Sequence, residues 1–262
     1  MAYNLKQNIQ QFWTENVPGL DIAYKKYSPQ QKEFYITADT HRYKYEKYVL
    51  PLIDSFAQGN NLILEIGCGL GSDSRYIAKK GSSVISLDLS PSNVGLTIKG
   101  MQLFGLKGRG VCADAENIPF KENSFDVVYS FGVLHHTPDT QKAINEIYRV
   151  LKPKGRCVIM LYHKGYAYYL LLLMHPFLFL KSEMQRKPDK LMSEYDHTPL
   201  SKLYSKREIR QLFEKFQDVD IEITTYGGIQ NHRFLKYIYK ALNKSRFLMS
   251  RLGSYLLIRA NK

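Results

Sequence analysis

NLILEIGCGLGSD, residues 61–73, holds an apolar run (Leu62, Ile63, Leu64, Ile66) that ends in alternating glycines, Gly67, Gly69 and Gly71. The run is short and apolar on both faces, as a central strand of a parallel sheet should be. Its glycines allow positive φ and let the backbone approach a ligand closely. Ser72 or Asp73 is the expected cap of a following helix, whose free N–H groups then face the space above the loop. These features predict a nucleotide-type cofactor site at the carboxyl end of a first strand.

The spacing bears on which cofactor. A dinucleotide fingerprint, G-x-G-x-x-G, needs a sixth-place glycine where this chain has Ser72. The pattern is instead E-x-G-x-G-x-G, with Glu65 two residues before Gly67. A carboxylate there repels a pyrophosphate but suits a ligand that carries an ammonium and a sulfonium. Asp88, 21 residues after Gly67, ends a second apolar run, Ser83 to Leu87. That is the usual place for the acid that holds ribose hydroxyls. S-adenosylmethionine (SAM) is therefore the expected cofactor; a dinucleotide and a degenerate, non-binding loop are the alternatives.

Four blocks in order, LEIGCGLG (64–71), VISLDLSP (84–91), CADAENIPFKENSFDVVYSFGVLHH (112–136) and EIYRVLKPKGRCVIMLY (146–162), carry a resemblance. The chain resembles the class I SAM-dependent methyltransferases, in particular the group related to ubiquinone/menaquinone C-methyltransferases. The resemblance covers Leu62 to about Tyr162, under half the chain, and implies fold and cofactor far more than substrate. It places Asp114 near the adenine amino group, with the Ala115 N–H on a ring nitrogen; a turn cap is the other reading of Asp114. Cys68, Leu89 and Ser130 join Glu65, Gly67, Gly69, Gly71 and Asp88 in the expected cofactor set. The resemblance also lays the segment before the first strand over the cofactor. That makes Tyr27, His41, Arg42 and Tyr43 candidates to touch the SAM carboxylate or the substrate. Arg42 suits a carboxylate through its planar fork. Alternatively, Tyr43, Tyr45 and Tyr48 cover one helix face, and Ile9, Phe12 and Trp13 pack a first helix on the core.

Strand signals fall at 62–67, 83–88, 109–113, 125–131 and 155–162, and helix signals near 72–80, 91–104 and 139–151. Pro91 suits a first helical turn, and Pro153-Lys154-Gly155 is expected to break the chain before the fifth strand. Further on, 205–217 reads as an amphipathic helix with Ser205 and Glu208 as a capping box. A strand at 219–225 and an antiparallel partner at 253–260 follow, with a basic helix at 234–249 between them. The expected fold is α/β: a Rossmann-like seven-stranded sheet, mostly parallel with an antiparallel last strand, and helices on both faces. Four parts are expected: a helical segment over 1–60 that closes the site, a SAM-binding core over 61–162, a cap over 163–204, and the end of the core over 205–262. Within the cap, the apolar run Tyr166 to Leu180 reads as a lid, an interfacial membrane helix or a dimer surface.

His135 and His136 follow the fourth strand, at the edge where open α/β sheets bind ligands. Either is a candidate to take a proton as an acceptor attacks; a purely structural pair is the alternative. Tyr162, His163 and His197 are further substrate-side candidates. Adjacent histidines without an obvious third ligand do not read as a metal site.

Three scattered cysteines make no disulfide framework and fit reduced thiols better than a soft-metal site. No secretory signal opens the chain, so a cytoplasmic protein, with peripheral membrane contact as an option, is expected. The net charge of +13 is uneven: residues 151–262 hold 21 Lys/Arg against 9 Asp/Glu. Such a half suggests phosphate, an anionic membrane surface or an acidic partner, or simply a solubilising face. No nucleic-acid recognition motif accompanies it. The expected function is methyl transfer from SAM to a small molecule at O, N, S or C. A quinone or lipid-like acceptor, RNA, and a non-catalytic methyltransferase-like subunit are the alternatives.

Overall fold

A computed structural model describes residues 2–165, 188–195, 197–224 and 253–262. Most of the expected cap, including Tyr166 to Leu180, and the basic helix expected at 234–249 lie outside the described residues. Four helices come first: α1 (Ala2–Glu15), α2 (Leu20–Tyr24), α3 (Lys32–Tyr45) and α4 (Val49–Asp54). Strand–helix alternation then gives β1 (Leu62–Ile66), α5 (Ser72–Lys79), β2 (Ser83–Asp88), α6 (Pro91–Leu103) and β3 (Arg109–Cys112). It continues through β4 (Phe125–Phe131), a 3₁₀ turn at Leu134–His136, α7 (Thr140–Val150) and β5 (Leu151–Tyr162). The remaining elements are α8 (Pro188–Tyr195), α9 (Lys206–Leu212), β6 (Gln217–Thr224) and β7 (Tyr255–Asn261).

The strands form one sheet in the order β3-β2-β1-β4-β5-β7-β6. The first five run parallel, and β7 is antiparallel to both β5 and β6. Strand alternation explains why both faces are covered. Leu64, Val128, Ile159 and Ile258 look to one side, where Ile144 and Ile147 of α7 and Ile209 of α9 pack on them. Ile63, Val127, Val158 and Leu257 look to the other, against Leu52 and Ile53 of α4 and Ile77 of α5. The order reverses between β1 and β4, so a crevice opens above their carboxyl ends.

Local signals hold in part. Ser90 caps α6 through the Asn93 N–H with Pro91 in the first turn, and Ser205 and Glu208 make the expected capping box. Asp126 accepts the Leu62 N–H at 2.9 Å and pairs with Lys152, a structural role where β4 begins. Three expectations need correction. Neither Ser72 nor Asp73 caps α5; the chain enters it through Gly71 at φ 71°, where a side chain would strike Thr97. Pro153-Lys154-Gly155 does not end an element but forms an irregularity within β5, with Lys154 at φ 64° and a register jump from Leu151 to Arg156. The helix read over 205–217 stops at Leu212, because Gln217 already starts an edge strand.

Among the described residues no helix is long and apolar enough to cross a membrane. Leu64 sits at the centre of β1 with no exposed surface. Leu64→Ala is expected to lower the unfolding free energy by about 2–5 kcal/mol, read as a reduced urea midpoint at unchanged slope.

Candidate functional site

The crevice between β1 and β4 opens into a cavity of about 500 Å³. Gly67 leaves β1 at φ 80°, and a Cβ there would lie 2.1 Å from Val133, so the loops after β1 and β4 meet only because this residue lacks a side chain. Asp88, at the end of β2, is 7% exposed and accepts the Gly69 N–H at 3.0 Å and the Ser90 N–H at 2.9 Å. Burial raises its carboxyl, and those backbone donors oppose the rise. The acid therefore braces the glycine loop while lining the cavity.

Glu65 lies deeper, 4% exposed, and accepts the Ser74 hydroxyl. Burial, followed by the nearby Asp73 charge, pushes its carboxyl up to about 8. No cation forms an ion pair with it among the described residues. Asp73 is differently placed: it accepts Arg42 Nε at 2.9 Å and Nη2 at 2.6 Å, and the Tyr43 and Tyr129 hydroxyls at 3.0 and 2.8 Å. Arg42 also meets Glu46 at 3.0 Å and lies over the Phe131 ring. It lines the cavity, but its fork is turned to Asp73.

Helix α1 crosses the carboxyl ends of the strands. Lys6 pairs with Asp114 and, at 2.6 Å, with Glu116; Gln10 donates to the Leu89 carbonyl at 2.7 Å; Thr14 donates to Ser90 at 2.7 Å. Trp13 lies 4.7 Å from His136, ring to ring. The two histidines differ in kind. His135 has no exposed surface, stacks on Tyr162 at 3.7 Å and does not line the cavity. Burial and the adjacent His136 hold it well below the usual imidazole range. His136 does line the cavity. Its Nδ1 sits 2.6 Å from the Leu200 carbonyl, which can only accept, so Nδ1 carries the proton and Nε2 is a lone-pair acceptor. Burial pushes this imidazole down to about 4, against the pull of that carbonyl, and Nε2, itself buried, has no hydrogen-bond partner among the described residues.

Of the residues singled out from sequence, the cavity gathers Glu65, Gly67, Cys68, Gly69, Asp88 and Leu89, with Asp114, Ala115, His41, Arg42, His136 and Tyr162. The others stand off it. Gly71 starts α5; Ser130 donates to the Ile66 carbonyl; Tyr43 is bound to Asp73. Tyr27 packs in the small cluster around Phe34 and Leu70. His163 Nδ1 meets the Gly253 carbonyl at 2.8 Å, and His197 is an exposed turn residue at φ 53°. Lys6, Trp13, Glu46, Asp73 and Met192 line the cavity without having been singled out as site residues. Two of these carry a signal in the sequence: Trp13, whose spacing with Ile9 on one helix face reads as packing, and Asp73, which reads as a helix cap.

Residues 64–159 match the family described as a methyltransferase domain, and that interval contains the glycine loop, Asp88, Asp114 and both histidines. That match spans well under half of the chain. Across 105 residues the chain is 40% identical to cycloartenol-C-24-methyltransferase of Arabidopsis thaliana, covering 38% of this chain and 30% of that protein. The chain spans 28 to 41% of the length of the curated relatives it matches. Among solved structures, phosphoethanolamine N-methyltransferase 2 of Haemonchus contortus, in complex with phosphomonomethylethanolamine and S-adenosylhomocysteine, aligns at TM-score 0.61 and 21% identity, over 86% of this chain and 58% of that one. The [4+2]-cyclase SpnF aligns at TM-score 0.63 and 16% identity, over 98% and 96%. These likenesses show a shared fold.

The cavity fits SAM at its ammonium: Glu65 is buried, forms no ion pair among the described residues and is held up to about 8, and an ammonium beside it would stabilise the ionised form. Since the folded pKa lies above the ordinary 4.5, Glu65 costs stability as pH rises from about 4.5 to about 8. A ligand ammonium reverses this by expelling the proton. Binding of S-adenosylhomocysteine near neutral pH is therefore expected to release about one proton, measured by calorimetry in buffers of different ionisation enthalpy. Glu65→Gln is expected to abolish the release; wild-type protein that binds without it contradicts this role.

Proposed function

We propose that this chain transfers a methyl group from SAM to a small-molecule acceptor held in the cavity above β1 and β4. One observation carries the reading: the glycine loop, Glu65, Asp88 and Asp114 all face one cavity at the point where the strand order reverses. On this reading Asp88 takes the ribose hydroxyls, Asp114 and the Ala115 N–H take the adenine edge, and Glu65 answers the ammonium. SAM, when bound, supplies an electrophilic methyl group on a sulfonium. The protein's share is positioning: it holds the acceptor in line with that methyl and excludes water. Trp13, Phe131, Met160 and Tyr162 form the apolar wall of the cavity, and the His136 side chain lines it beside them. The segment before β1 closes the site.

A lipid-like acceptor is the second reading, supported by the apolar run Tyr166 to Leu180 and the basic C-terminal half. Similar proteins named for cycloartenol and for phosphoethanolamine support no single acceptor. With the basic half against an anionic surface, such an acceptor would enter from a membrane.

Radiolabelled methyl followed from SAM into a fractionated cell extract tests both readings. Label in water-soluble material supports the first, label in the organic phase supports the second, and no transfer at all contradicts the enzymatic reading. Asp88→Ala is expected to weaken binding of S-adenosylhomocysteine at least tenfold, as loss of a hydrogen-bonded carboxylate should, with unchanged affinity in calorimetry as the contrary result.

A further inference from the structure

A buried cation lies beneath the glycine loop. Arg75, on α5, has no exposed surface. Its Nη1 donates at 2.6 Å to the Leu70 carbonyl, and its Nη2 pairs with Asp39 of α3. The guanidinium lies 4.8 Å from the centre of the Tyr35 ring. Helix α6 passes close by only because Gly100 has no side chain: a Cβ there would meet Arg75 Nη1 at 2.8 Å and the Tyr35 ring at 2.9 Å. A guanidinium is costly to strip of water, and replacing a buried ion pair by packed apolar side chains is often neutral or stabilising. Packing alone therefore does not account for a charge at this place.

The loop itself points to a use. The Gly67 and Cys68 N–H groups donate to the Leu87 carbonyl at 2.7 and 3.1 Å, the Gly69 N–H to Asp88, and the Gly71 N–H to the Cys68 carbonyl at 2.7 Å. Two loop carbonyls take side chains from below instead. That of Gly69 accepts the Thr97 hydroxyl at 3.0 Å, and that of Leu70 accepts Arg75. Thr97, like Arg75, has no exposed surface. The peptides on both sides of Leu70 are thus pinned by their oxygens. In a trans peptide the N–H points opposite to the carbonyl, so Thr97 turns the Leu70 N–H away from α6. Among the described residues it is the one N–H of the loop, Gly67 to Gly71, that makes no hydrogen bond.

We propose that Arg75 and Thr97 are positioning residues of the cofactor loop, holding the Gly69–Leu70 and Leu70–Gly71 peptides in the orientation that SAM binds. This rests on the methyltransferase reading and deepens it. Gly69 and Leu70 line the cavity, whereas Arg75 and Thr97 do not, so each acts through a carbonyl. Gly69 and Gly71 stand at φ 52° and 71°, and glycine moves readily between such angles and others. A loop without its two donors spends less time in the binding orientation, and apparent affinity falls by that fraction.

Calorimetry with S-adenosylhomocysteine and urea unfolding, run on the same variants, test this. Arg75→Met removes the charged donor and is expected to weaken binding about tenfold; Thr97→Val keeps the shape, removes the hydroxyl and is expected to cost about fivefold. Asp39→Asn takes the carboxylate from Arg75 but leaves the Leu70 contact. It is expected to lower the urea midpoint while weakening binding less than about threefold. A purely structural pair would lower the midpoint without changing the affinity of the folded protein. Should Arg75→Met not fold, Thr97→Val against Asp39→Asn decides by the same comparison. Wild-type affinity in Arg75→Met and Thr97→Val, or a loss in Asp39→Asn as large as theirs, overturns the proposal and leaves the methyltransferase reading intact. Wild-type protein that does not bind S-adenosylhomocysteine overturns both.

Discussion

The interaction on which this site depends is the buried carboxylate of Asp73. Its two oxygens accept from Arg42 and Tyr43 on α3 and from Tyr129 on β4, so three parts of the chain meet on one residue at the start of α5. Removing one partner of such a pair leaves an uncompensated charge and typically costs about 3–5 kcal/mol. The pair also sets the electrostatics around it. It occupies the fork of Arg42, and its negative charge helps lift the Glu65 carboxyl. The segment before β1 is thereby fastened to the cofactor half of the domain by a charged network as well as by apolar packing.

Helix α1 adds a second, looser fastening at the far end. Lys6 reaches Asp114 and Glu116, and Glu116 in turn accepts the Thr137 hydroxyl and, at 2.7 Å, the Asp139 N–H. One acid thus links α1 to the loop that follows the histidines. Lys6 is about a third exposed, so this link is screened by salt in a way the Asp73 network is not.

The glycine loop, the acid at Asp88 and the alternating strands were legible because each is a local pattern whose period and spacing follow from backbone geometry. Antiparallel β7 is legible as well: the strand read over 253–260 is observed at Tyr255–Asn261. Asp73 was misread as a helix cap because an acid after a glycine loop looks like one; its real partners lie 30 to 56 residues away. Lys6 and Asp114 are 108 residues apart, and no local signal joins them. The histidine pair was visible as a pair only. A 3₁₀ turn sends its members in different directions, so one stacks beneath Tyr162 and the other lines the cavity. The irregularity at Lys154 shows the opposite failure, a strong breaker signal absorbed within a strand.

The central claim is that a SAM-type ligand sits between the glycine loop and α1. Hydrogen exchange with and without S-adenosylhomocysteine tests it most directly, because it maps contact and closure together. Protection is predicted at 67–73, 88–90 and 113–116 and along α1, with the opposite edge of the sheet around Lys152–Arg156 unchanged. Unchanged exchange in the glycine loop, or protection confined to that opposite edge, would contradict the account.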